Sequence, residues 1–167
     1  MPAVSEVEAA LYELAPRELA QSWDNVGLLV GDPTSQVSSV LVALDVTQEV
    51  AEEAAKRGCG LIVAHHPLMN CAWSPVQSVR TDQTQGKLIT TLIQNGISAI
   101  CMHTNLDSAS GGVNDALAAA LGLKDIAPLS EDGIGRIGTL DQEMTLEKFA
   151  ALVKEQLQAG GVRYADG

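Results

Sequence analysis

The sequence predicts an α/β fold, a mostly parallel sheet with helices on both faces. Three observations carry that expectation. Apolar runs of strand length (SVLVALD, GLIVAHH, ISAICMH) alternate with helical segments of ten or more residues. Each connection is long enough for the crossover that parallel pairing requires. The core must also be aliphatic, because 46% of the 167 residues are apolar and only 3% are aromatic, a balance that suits strands buried on both faces.

Taken in order, Val4, Val7, Leu11 and Leu14 share one helical face, and Pro16 follows the end of that helix. WDNVGLLVGDP, residues 23–33, is an apolar run closed by a Gly-Asp-Pro turn and reads as a strand entering the sheet. Residues 39–45 form a buried strand, residues 47–58 a helix with a Thr cap and a Gly stop, and residues 60–66 a second strand, completing a βαβ unit. Residues 67–83 show no period and contain Pro67 and Pro75, so they form a long loop at the same sheet edge, where loops often carry function. Helix and strand then repeat over 86–96 and 97–103, and a further helix covers 112–123. Past Ser130 the texture changes. GRIGTL reads as an edge strand, residues 145–157 as a capped helix, and GGVRYADG as the start of another strand. Residues 1–130 are accordingly read as one α/β domain, and 131–167 as a partial αβ segment of a second module.

Charge and cysteine usage narrow the function classes. Ten basic against 21 acidic side chains give a formal charge of −11, which repels a phosphate backbone over most of the surface and disfavours nucleic acid as the main partner. An anionic small-molecule substrate would need local positive charge, which bound divalent cations supply. Cys59, Cys71 and Cys101 lack paired C-x-x-C spacing, so a reducing, cytoplasmic setting is the simpler reading. The N-terminal stretch is neither basic nor continuously apolar, and no run is long enough to span a membrane.

All three histidines of the chain fall at strand C-termini: His65 and His66 end one strand and His103 ends another. In open α/β sheets ligands collect outside those ends. Asp107, four residues past His103 in HTNLD, is close enough in sequence to turn back toward the sheet. Mixed imidazole and carboxylate donors suit zinc, iron, manganese or nickel better than calcium or magnesium. Successive strand residues point to opposite faces, so His65 and His66 would not ligate one ion unless the strand ends between them, and they could instead serve two neighbouring ions. With Asp107 bridging, a two-metal site would favour hydrolysis. The ordinary alternative is that the histidines are partly buried and bonded to backbone while Asp107 caps a turn before Ser-Ala-Ser-Gly-Gly. Spacing alone leaves both readings standing.

The neighbouring residues take plainer readings. The three cysteines read as small core side chains. Asp45 ends its own strand and stands behind the ligands at most. Trp23, Asp24 and Asn25 could line the pocket, although a core Trp beside an Asx-turn is the commoner arrangement. Gly133, Gly135 and Gly138 spell G-x-G-x-x-G, but the run follows LSED and enters a strand-like segment, which is the wrong context for a dinucleotide fingerprint. The chain carries neither a P-loop nor a G-x-S-x-G elbow.

WDNVGLLVGDP, VLVALDVT, LIVAHHPL and HTNLDSASGGVNDALAAALGL resemble, in that order, the GTP cyclohydrolase I type 2 homolog family (NGG-interacting-factor-three-like). The resemblance covers roughly residues 10–125. It implies two divalent metal ions per subunit, with His65 and His66 matching the HHP pair, His103 the HTNLD histidine, and Asp107 the bridging carboxylate. It further implies a toroidal homohexamer and a metal-dependent hydrolase acting on a nucleotide or similar small molecule. The family's remaining His and Glu ligands come from a C-terminal segment that would lie past Gly167. Without them a second expectation arises, a non-enzymatic oligomeric scaffold or metal-binding regulator. Asn70 stands where the family usually has an aromatic residue after HHPL.

Overall fold

The computed structural model describes residues 1–69 and 75–165. The chain divides into two compact units, Met1–Ala109 and Ser110–Gly167.

The first unit runs α1 (Val4–Leu14), a 3-10 turn (Arg17–Leu19), β1 (Gly27–Val30), β2 (Val40–Ala43), α2 (Gln48–Arg57), β3 (Leu61–Ala64), α3 (Thr84–Gln94), β4 (Ser98–Cys101) and α4 (Thr104–Ser108). Its sheet has the order β1-β4-β3-β2. Strands β2, β3 and β4 are parallel, and β1 is an antiparallel edge. The expected mostly parallel sheet is therefore present, with helices on both faces. Ile62, Ala64, Ala99 and Cys101 point into one core with Ala51 and Ala54 of α2 and Leu88, Ile89 and Leu92 of α3. Leu61, Ile100 and Met102 point into the other, against Val4, Val7 and Leu11 of α1. This is the period-2 alternation of strands covered on both sides, and it explains why LIVA and SAIC contain no charged residue.

The helix termini follow local chemistry. The Thr47 hydroxyl accepts from the Val50 amide at 3.2 Å. Gly58 closes α2 in the left-handed conformation, φ 68°, which costs glycine no side-chain clash. Gly27 is more tightly constrained: its φ is 99° and a Cβ there would meet the Tyr12 hydroxyl of α1. Beside it the Leu28 amide donates to the Glu8 carboxylate at 2.7 Å, so α1 and β1 are joined at close approach. Leu14 departs from the expected helical face, being 70% exposed. The core beneath α1 is built on β3 and β4, and the last residue of the helix runs past it. On the edge strand β2, Val42 is likewise 78% exposed.

The loop expected over 67–83 contains no helix or strand in its described parts, 67–69 and 75–83. Asn70 and Cys71 lie outside the described residues. Cys59 and Cys101 are buried core side chains, as read from the sequence. Among the described residues no helix is long and apolar enough to cross a membrane.

The second unit contains α5 (Val113–Ala120), β5 (Lys124–Pro128), β6 (Arg136–Thr139) and α6 (Leu146–Gln156). The two strands form an antiparallel pair. The Arg136 guanidinium binds Asp115 of α5 and donates to the Gly133 and Gly135 carbonyls at 2.8 Å. That ties α5 to the hairpin and places it in this unit, so the units divide at Ala109 rather than at residue 130, where the sequence texture changes. The G-x-G-x-x-G run occupies the turn before β6 and β6 itself, opening no helix. Strand β5 did not stand out in the sequence. Conversely, residues 161–165 of GGVRYADG form no strand, since a strand exists only where another edge receives its hydrogen bonds.

Candidate metal centre

Strand register assembles the site. Ala43 of β2 lies beside Ala64 of β3, and Ala64 beside Cys101 of β4. Two residues further on, the same register carries Asp45, His66 and His103 side by side past the C-terminal ends of three parallel strands. The His65 and His66 amides both donate to the Leu44 carbonyl, at 3.2 and 3.0 Å, and the Met102 amide donates to the Ala64 carbonyl at 2.9 Å. The pairing thus extends into the site. On the other side β1 runs antiparallel with Gly27 opposite Cys101, which brings Asp24 opposite Thr104, 80 positions away in sequence.

Each histidine has one ring nitrogen committed to an oxygen. His65 Nδ1 is 2.9 Å from the Met102 carbonyl, His66 Nδ1 is 2.8 Å from Asp45 Oδ1, and His103 Nδ1 is 3.0 Å from both oxygens of Asp24. A carbonyl and an ionised carboxylate only accept, so each Nδ1 carries the proton. In the neutral ring each Nε2 then keeps its lone pair, the form that binds metal. The three rings gather with centroids 5.0, 5.1 and 5.6 Å apart, and a nitrogen from each lies within 4.8 Å of the others. Asp107 Oδ1 stands 3.8 Å from His65 Nε2. That separation is too long for a hydrogen bond and suits two donors to a common ion.

Thr104–Ser108 of the HTNLD segment form the short helix α4, with His103 at its N-cap. The helical step puts Asp107 one turn above His103, its amide donating to the His103 carbonyl at 3.0 Å. Every residue of the motif then has a physical role. Thr104 donates to Asp24 through its amide, at 3.0 Å, and through its hydroxyl, and that hydroxyl accepts from the Gln21 amide at 2.9 Å. Asn105 is fully buried. Its side-chain oxygen accepts from the His103 amide at 3.0 Å and its nitrogen donates to the Ala15 carbonyl at 2.8 Å. Leu106 packs against the α1 core.

All four candidate ligands read from the sequence are close together, the histidines mutually and Asp107 through His65. Asp45 stands behind His66, the position expected of it. Asp24 was underestimated. Its carboxylate accepts from the Asn25 amide at 2.8 Å, one residue on rather than the two of an Asx-turn, and it orients His103, with its side chain fully buried. Burial pushes the Asp24 carboxyl up, while the hydrogen bonds from Thr104, His103 and the Asn25 amide outweigh that and hold it below the usual carboxylate range. No local pattern marks this residue; only the β1–β4 pairing does. Trp23 is no core residue: it is 39% exposed, its ring 6.1 Å from His103 and crossing it at 74°.

Fold and site define an α/β protein with a histidine and carboxylate cluster at the C-terminal edge of parallel strands. The family model of Duf34/NIF3 (NGG1p interacting factor 3) matches residues 2–167, and the chain belongs to that family. It is 42% identical over 175 residues to a GTP cyclohydrolase 1 type 2 homolog of Streptomyces coelicolor, covering 99% of this chain and 60% of that protein. A Clostridium perfringens homolog of the same description is 39% identical, with 97% and 63% covered. Among solved structures, a Staphylococcus aureus hypothetical protein superposes with a TM-score of 0.86 at 34% identity, over 96% of this chain and 66% of its own. Reduced HcgD from Methanocaldococcus jannaschii does so with a TM-score of 0.82 at 32% identity, over 92% and 60%. The chain thus spans about three fifths of the length of the curated relatives it matches.

Proposed function

We propose that this chain is a divalent-metal-binding protein, with His65, His66, His103 and Asp107 as ligands, and that the centre supports metal-dependent hydrolysis of a nucleotide or similar small heterocycle. The observation that carries the reading is the common arrangement of the three imidazoles, each with Nδ1 on a fixed oxygen and a ring nitrogen within 4.8 Å of the others. Imidazole and carboxylate donors fit zinc, iron, manganese or nickel. A ring nitrogen from each of the three imidazoles lies within 4.8 Å of the others, which suits one ion, and the family resemblance supports a second ion with Asp107 between the two.

When bound, such ions polarise a substrate oxygen and lower the pKa of coordinated water. The chain's own residues supply the frame. Asp24, Asp45 and the Met102 carbonyl hold the rings, and α4 holds Asp107 against His65. The wider family resemblance supports a homohexamer, and the unpaired spacing of the cysteines supports a cytoplasmic setting.

Protein purified without chelator should carry bound transition metal by elemental analysis, and His103→Ala and Asp107→Ala should strip it. Chelator should abolish turnover of a nucleotide panel, and added metal should restore it. Metal content indifferent to both substitutions would sink the reading. Sedimentation of the metal-loaded protein tests the hexamer.

A further inference from the structure

Trp23 combines features that a core or surface tryptophan does not share. It is 39% exposed, yet it stands at the rim of the histidine cluster, its ring centroid 6.1 Å from that of His103. Its backbone is held on both sides by the site's own hydrogen bonds. Upstream, the Gln21 amide donates to the Thr104 hydroxyl at 2.9 Å, and the Asp24 amide closes a turn onto the Gln21 carbonyl at 2.9 Å. Downstream, Asp24 is bound to His103 and Thr104, and the Asn25 side chain donates to the Met69 carbonyl at 2.8 Å. The large aromatic surface is therefore mounted on the same rigid scaffold that orients a candidate ligand.

Leaving indole surface in water forgoes the benefit of burying it. Exposed, and carried on a backbone that the site's hydrogen bonds hold, the ring is placed to cover a flat ligand at the candidate centre, because little backbone entropy remains to be lost there.

We propose that Trp23 is the stacking wall of the substrate site, holding a planar heterocycle whose donor atom reaches an ion at His65, His66 and His103. This rests on the metal-centre reading above and adds the residue that recognises the ring. Base–aromatic stacking predicts a loss of about tenfold or more in affinity when the indole is removed.

The test uses the zinc-loaded chain, calorimetric titration with GMP, and ribose 5-phosphate as the ring-free control, on wild type, Trp23→Phe and Trp23→Ala, with zinc content measured for each. The expected result is GMP binding at least tenfold tighter than ribose 5-phosphate in the wild type. Trp23→Phe keeps most of that preference, and Trp23→Ala loses it with zinc content unchanged. Equal binding of the two ligands by the wild type, or undiminished GMP binding by Trp23→Ala, overturns the proposal. The zinc measurement separates the two ideas: Trp23-dependent GMP binding by a chain that takes up no zinc would support the stacking wall and remove the metal centre.

Discussion

The Asp24 carboxylate accepts from His103 Nδ1 with both oxygens at 3.0 Å, across a gap of 79 positions in the chain. It is the most buried of the carboxylates that face the histidines. Replacing it with the isosteric amide removes the charge and half of the acceptor capacity while keeping the shape. Zinc affinity of Asp24→Asn, measured by competition with a chromophoric chelator, should fall by about 10- to 100-fold.

Asp45 does the same for His66 in a wetter place, its side chain 54% exposed. Water can replace it there. Asp45→Asn should weaken zinc binding by less than about tenfold, and an effect equal to that of Asp24→Asn would show that burial does not set the ranking.

Asn105→Ala removes a fully buried side chain that partners two backbone groups, orphaning the Ala15 carbonyl and the His103 amide. The expected loss is about 1–3 kcal/mol of stability by urea unfolding. Zinc affinity should drop as well, because the His103 backbone loses its anchor.

Gly27→Ala meets three obstacles, the φ of 99°, the Tyr12 hydroxyl and the Glu8 carboxylate. Backbone strain alone costs about 1–3 kcal/mol. Tyr12→Phe in the Gly27→Ala background should recover part of the loss, the part due to collision. A double-mutant cycle with no coupling would contradict the close approach of α1 to β1.

Ile62 and Val42 are both β-branched residues in parallel strands, but only Ile62 is buried in the core. Ile62→Ala should cost about 2–5 kcal/mol, whereas Val42→Thr should stay within about 0.5 kcal/mol. The contrast sets the face covered by α2 and α3, where Ile62 lies, against the open edge strand at Val42.

The sequence by itself determined the parallel strands, the crossover helices and the four candidate ligands, because those rest on local signals. Apolar runs of four to seven residues, a Thr cap, a Gly stop and a histidine at a strand end can each be read within a short window. What only the tertiary structure decided depends on which strand pairs with which, and in what register. That pairing sets Asp24 against His103, turns HTNLD into a helix whose Thr and Asn bind segments some 80–90 positions away, and mounts Trp23 at the rim of the site. It also groups α5 with the hairpin that follows, through Arg136 and Asp115. A residue's own neighbours in sequence fix its backbone preference, but long-range hydrogen bonds fix what its side chain is for.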